Sequence, residues 1–297
     1  MEEEINQTTK IDRQEAEGFD LPQEPGPEVS PAGTTPLQPS EIIRLPTRHN
    51  PILQKLVGIV NSDEDLHAIW RCQNVNGVDR LGMSDHGPVH VQIVANLALR
   101  LLRLLMAKNI QPSIVKDHGM SEHDAEVVVV LAALLHDCGM SIHRDDHEFM
   151  SLFIALPKLQ ELLSNLYPPA ERRVIISETL HAIITHRSDG RPLTLEAGIV
   201  RVADALDMAQ GRSRIPFESG HVNIHSVSAA AIEKVEINQG QDKAIRVTIH
   251  MTNAAGIFQI DELLRQKLKG SGLETHVEVV AQVTGESDKR LVETFKF

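Results

Sequence analysis

Apolar residues return at helical spacing through the middle of the chain. The pattern turns helical at Pro51, and Val91, Val94, Leu97, Ala98, Leu101, Leu102 and Leu105 then recur every three or four residues. That run follows Ser84-Asp85-His86-Gly87-Pro88, where short polar residues precede a proline whose fixed φ suits a first helical position. A second start lies at Ser121, with Asp124 three residues on in the capping-box arrangement. Val127 to Leu135 is rich enough in valine for a buried strand. A helix is predicted instead, because the apolar pattern continues from the cap for about four turns and stops at Cys138-Gly139, where glycine suits a helix C-terminus. Further helices are expected over 147–156, 158–166, 171–186 and 194–209, the last entered through Pro192 and Thr194. Between Asn50 and Gly211 nothing alternates convincingly at period two, so this region reads as an all-α bundle.

After Arg214-Ile215-Pro216 the pattern changes. Ile245, Val247, Ile249 and Met251 alternate with Arg246, Thr248 and His250, and Val277, Val279, Ala281 and Val283 repeat the alternation, predicting two half-buried strands. Between them Ile260, Leu263, Leu264, Lys267 and Leu268 suit an amphipathic helix ended by Gly270 and Gly272. Ahead of both regions, residues 1–40 carry six prolines among Glu, Gln and Thr, the composition of a disordered acidic tail. The chain is therefore mainly α: a tail over 1–40, a helical domain over 41–216, and a small α+β domain over 217–297.

Charge and composition narrow the partners. The formal charge is −12, but residues 1–41 hold ten acidic and two basic side chains, so the remainder is nearly balanced at −4. Nine aromatic residues are too few for a row of base-stacking platforms, and nucleic acid is not an expected partner. Cys72 and Cys138 form no disulfide framework or CxxC pair. No charge-free run reaches the roughly 18 residues of a membrane span, and MEEEINQTTK is no secretory leader. A reduced cytoplasmic protein without a membrane partner is expected.

Fifteen histidines stand out, nine of them between His86 and His186. His136-Asp137 directly follows six apolar residues at the end of the most apolar helix, where an ionised carboxylate needs a partner. His90 sits in another apolar helix and Asp204 in Ile199–Leu206, so four N/O groups on three helices could hold a borderline or hard divalent cation. Asp204 alone is ambiguous, since Arg201, Asp204 and Asp207 also make the polar stripe of a solvated helix face. His86 faces the same way as His90 but precedes the N1 proline, so capping or surface exposure is favoured over ligation. His118, His123, His221, His225, His250 and His276 read as solvated, and Cys138 as a small buried residue.

The settings His90-Val91-Gln92, Leu134-Leu135-His136-Asp137-Cys138-Gly139 and Val202-Ala203-Asp204-Ala205 resemble the HD-domain metal-dependent phosphohydrolase superfamily over about residues 80–215. The resemblance implies an HD-type helical bundle, with His90, His136, Asp137 and Asp204 as primary ligands of Mn, Mg, Zn, Fe, Ni or Co. His147 and His186 look like the extra ligands of binuclear members, with Asp137 bridging, so one or two ions per chain are expected. His181 and His186 are five residues apart, about 140° around a helix, and share an ion only if the helix ends between them; His186 is the candidate. The His-His-Glu and Gly-Tyr-Pro signature of the cyclic-di-nucleotide branch is absent after Thr185.

The implied activity is hydrolysis of a phosphomonoester or phosphodiester, of a nucleotide-like small molecule, by a metal-activated water. Asp137, His147 and Arg144 are the candidate catalytic residues, and Arg187, His143 and Arg212 the candidate substrate-binding ones. The arginines suit bidentate phosphate contact, and His143 or His147 would protonate the leaving alkoxide where it is not a ligand. Arg212 and Arg214, which could reach a phosphate from the domain junction, rank below Arg144 and Arg187. The rival readings are a nucleotide-sensing signalling module with little turnover and, less favoured, a di-iron oxygenase. A half-polar C-terminal sheet leaves room for a homodimer.

Overall fold

The computed structural model describes residues 42–187, 189–209, 224–284 and 294–296. The acidic tail, the expected domain boundary at 216/217, and with it Arg212 and Arg214, lie outside them.

Several helices begin where a side chain can take up unpaired N–H groups. Asn50 accepts from Leu53 to start α1 (Pro51–Ser62), and Asp63 accepts from Leu66 to start α2 (Glu64–Asn74), which runs into a π-helical turn over Val75–Arg80. Next come α3 (Pro88–Met106), α4 (Ser113–His118) and α5 (Glu122–Leu135). The Ser121–Asp124 capping box forms as expected, and Tyr167 donates to the second oxygen of Asp124 at 2.7 Å. Every residue from Asp124 to Leu135 is buried, which makes α5 the central helix, packed on α3, α7 (Pro169–Thr185) and α8 (Leu195–Leu206). The α3 helix is long and apolar enough to cross a membrane, but it serves here as a core helix with two-thirds of its apolar window buried.

Two expectations about helices change. The predicted break at Pro157 is absent: α6 runs unbroken over His147–Leu162. Pro157 and Phe153, one turn earlier, both face solvent, where water can take the carbonyl that proline leaves without a donor. Gly139 does not adopt the left-handed conformation of a helix cap either. It lies in a 3-10 turn (Cys138–Ser141), and a Cβ on it would fall 2.0 Å from the His147 carbonyl oxygen, so its role is to let that turn press against the start of α6.

Beyond α9 (Ile224–Ala230) lies a four-stranded sheet of order β1 (Ile232–Gln239), β2 (Ile245–Met251), β3 (Val277–Val283), β4 (Thr294–Lys296). β2 and β3 are the predicted strands and pair in parallel, which needs a crossover. The helical run 254–268 supplies it, mixing 3-10, α and π turns, and Gly270 and Gly272, at φ 75° and 79°, end it. One hydrophobic core spans bundle and sheet. Arg100 of α3 donates to the β1 carbonyl of Ile237 at 2.6 Å, and Gly198 of α8 admits the backbone of Ser271, whose oxygen would lie 2.0 Å from a Cβ there.

Candidate metal centre

Five secondary-structure boundaries meet at one buried spot. His90 lies in the first turn of α3, where Asp85 accepts the N–H groups of Gly87 (3.0 Å) and His90 (3.1 Å). His136 caps α5, whose C-terminal dipole favours a cation, and Asp137 leaves that helix. His147 opens α6 behind Asp146, which holds a left-handed φ of 54°. His186 caps α7, which ends at Thr185; His181 stays outside and accepts from the Leu193 N–H. Asp204 lies in the last turn of α8.

The two oxygens of Asp137 face two different histidine pairs. Oδ2 lies 3.4 Å from Nε2 of both His90 and His136, while Oδ1 lies 3.1 Å from His147 Nε2 and 3.6 Å from His186 Nε2. Asp204 Oδ1 adds contacts of 3.4 Å to His90 and 3.7 Å to His136. The outer nitrogens are committed elsewhere: Nδ1 of His90 to Asp207 (2.6 Å), of His136 to the Ala133 carbonyl (2.8 Å), of His186 to the Ile183 carbonyl (2.6 Å) and of His147 to the Arg144 carbonyl (3.0 Å). With Nδ1–H donating outward, Nε2 of His90, His136 and His186 turns its lone pair inward, as metal-ligating histidines do, while His147 Nδ1 lies between the carbonyl and the guanidinium of Arg144. His90 Nε2 and His136 Nε2 are only 3.2 Å apart. Two lone pairs at that distance repel unless a proton or a cation lies between them, so the donor set fits a divalent ion.

Charge follows the same logic. Burial works against protonating His136, but the carboxylates of Asp137 and Asp204 outweigh it and raise its pKa to about 9. Burial alone would raise Asp137 and Asp204, yet His136 holds the first, and Lys267 with the histidines the second, well below the usual carboxylate range. Burial lowers His186. Among the described residues three overlapping groups could each hold an ion: His90, His136 and Asp137; His136, His186 and Asp204; and Asp137, His147 and His186.

Residues 89–209 match the family model described as HD domain. The chain belongs to the HD-domain metal-dependent phosphohydrolase superfamily. It is also 43% identical over 224 residues to an uncharacterized protein of Methanocaldococcus jannaschii, a match covering 75% of this chain and 86% of that one. No solved structure matches it. HD domains bind divalent metals, and the His/Asp cluster could hold one.

The HD site gathers His90, His136, Asp137, Asp204, His147 and His186 together. Arg144 is exposed at its edge, with Nη1 2.7 Å from His147 Nδ1. His143 is exposed and accepts from the Asp145 N–H, and Arg187 is paired with Asp189 at 2.5 Å. His86 is half-buried, its Nδ1 on the Ser84 carbonyl. Cys138 is buried, and burial pushes its thiol up to about 12. Two residues of the site carried no assignment in the sequence. Asp207 belonged only to a polar stripe, and Lys267, which contacts Asp204, appeared as one position of an amphipathic helix. The solvated reading of that stripe fails for Arg201, which is buried and donates to the carbonyls of Gly190 and Gln266, the latter at 3.1 Å.

Proposed function

We propose that this HD protein hydrolyses a phosphomonoester or phosphodiester of a nucleotide-like small molecule, in the cytoplasm, with two divalent ions per chain. The observation that carries the reading is the divided Asp137 carboxylate, one oxygen facing His90 and His136 and the other His147 and His186. In this reading His90, His136, Asp137 and Asp204 hold the first ion, and Asp137, His147 and His186 the second. A divalent cation there supplies Lewis acidity toward phosphoryl oxygen and makes water a competent nucleophile near neutral pH.

The protein's own groups do the rest. Asp207 fixes the tautomer and tilt of His90, backbone carbonyls do the same for His136 and His186, and Arg144 holds the His147 ring through its carbonyl and its guanidinium. Arg144, at the exposed edge, supplies a planar donor for a phosphoryl oxygen. His147 faces Asp137 and is occupied there, so His143, exposed beside Arg144, is the group that protonates the leaving alkoxide. Arg187 binds substrate after exchanging Asp189 for phosphate.

Chelator-stripped protein is expected to lose hydrolysis of p-nitrophenyl phosphate and of a nucleotide panel and to regain it with Mn, Mg, Ni or Co. Elemental analysis should count two ions per chain. Undiminished activity in Asp137→Ala would overturn the assignment.

A further inference from the structure

We infer that Lys267, delivered by the C-terminal region, is a further anion-binding group of this centre: it rests on Asp204 and takes up the phosphate of the substrate. The inference builds on the phosphohydrolase reading and names which residue outside the bundle recognises the substrate.

Lys267 lies in the helical run 254–268, sixty-three residues from Asp204, and its ammonium contacts Asp204 Oδ2. The contact is built. On α8, Gly198 admits the Ser271 backbone, Arg201 donates to the carbonyl of Gln266, and Asp204 meets Lys267 itself. These three positions are spaced by three residues and share one face of the helix. The segment carrying Lys267 is thus held against the helix that carries the carboxylate.

Asp204 presents Oδ1 to His90 and His136 and Oδ2 to Lys267, so the ammonium stands one carboxylate away from the histidine cage. Solvent also reaches the centre at this corner. The side chains of Asp204 and Lys267 are each 15% exposed, against 7% or less for His90, His136, Asp137, His147 and His186. An anion entering at this corner meets Lys267.

With the cage empty, the ammonium neutralises Asp204. A divalent cation sharing the same carboxylate puts two positive centres on one anion, and they repel. An anionic oxygen lying between cation and ammonium relieves that repulsion, which selects a phosphoryl group over a neutral ester. Arg187, paired with Asp189, and Arg144, beside His147, are the phosphate contacts offered by the bundle, and Lys267 adds one from the C-terminal region.

The test uses the full chain. Calorimetry measures Mn(II) binding and then inorganic phosphate binding to the Mn-loaded protein, for wild type, Lys267→Met and Lys267→Arg. Lys267→Met should leave Mn(II) affinity undiminished, weaken phosphate about tenfold or more, and raise KM for p-nitrophenyl phosphate more than it lowers kcat; Lys267→Arg should restore phosphate binding. Phosphate affinity within about twofold of wild type, or a loss confined to Mn(II) binding, overturns the inference, the latter making Lys267 a positioning residue for Asp204. Lys267→Gln serves if the Met variant does not fold. Failure of the wild type to hydrolyse any phosphate ester sinks the functional reading while the phosphate titration still decides Lys267.

Discussion

His136 is where fold and chemistry conflict most directly. It is fully buried beside two carboxylates and 3.2 Å from a second imidazole nitrogen, so without a cation it carries a proton at neutral pH. A cation must expel that proton. Because the folded pKa is raised from the ordinary 6.5 to about 9, apparent Mn(II) affinity should climb about tenfold per pH unit toward pH 9 and level off above it, as titration across that range would reveal. The same shift makes protonation of His136 stabilise the cation-free fold fully below about 6.5, an effect lost as pH rises through about 9. Asp207 acts on the other side of the cage through its 2.6 Å contact with His90 Nδ1. Asp207→Ala should weaken Mn(II) binding about 10–100-fold, and calorimetry giving wild-type affinity would remove Asp207 from the site. His136 and Asp137 were legible in the sequence because a charged pair ending an apolar helix demands a partner, whereas Asp204, His147 and His186 were singled out through the family resemblance. Asp207 and Lys267 were not, since each acts through a contact that only the tertiary fold creates.

At the scale of elements, glycine spacing and ion pairs set how closely helices approach. Gly139→Ala would drive a methyl into the backbone of α6, so it should cost more than about 2 kcal/mol in urea unfolding and reduce bound Mn(II) below wild-type stoichiometry by displacing His147. Lys158 ties α6 to the start of α2: its buried ammonium meets Asp63 at 3.1 Å, Asp65 at 2.8 Å and Glu161 at 2.9 Å. Lys158→Met should lower stability by about 2 kcal/mol in the same measurement, with no change in metal content. The longer helices of the bundle could be read from periodicity and caps because those signals are local, whereas the short α4 was not predicted. β1 escaped that reading for a physical reason. A register shift between Ile232 and Lys234 places its buried residues at Ile232, Val235 and Ile237, which breaks the period of two by which β2 and β3 are recognised. Pro157 misled in the opposite direction, since a proline on a solvated helix face need not end the helix.

Across the whole molecule, α8 belongs to both halves. Its inner face joins the bundle core, and Gly198, Arg201 and Asp204 reach the segment 266–271 that leads into β3. Linkage between two sites is reciprocal: whatever free energy the C-terminal segment contributes to the geometry of Asp204 is returned when a cation fixes that carboxylate. Amide hydrogen exchange should therefore slow over residues 266–277 when Mn(II) binds, although none of those residues is a ligand. Unchanged exchange there, with slowing confined to α3, α5 and α8, would mean that the two halves are energetically separate. A substitution in that loop could then be selected for its effect on which esters are cleaved, so that specificity drifts through a remote segment while the histidine cage stays constant.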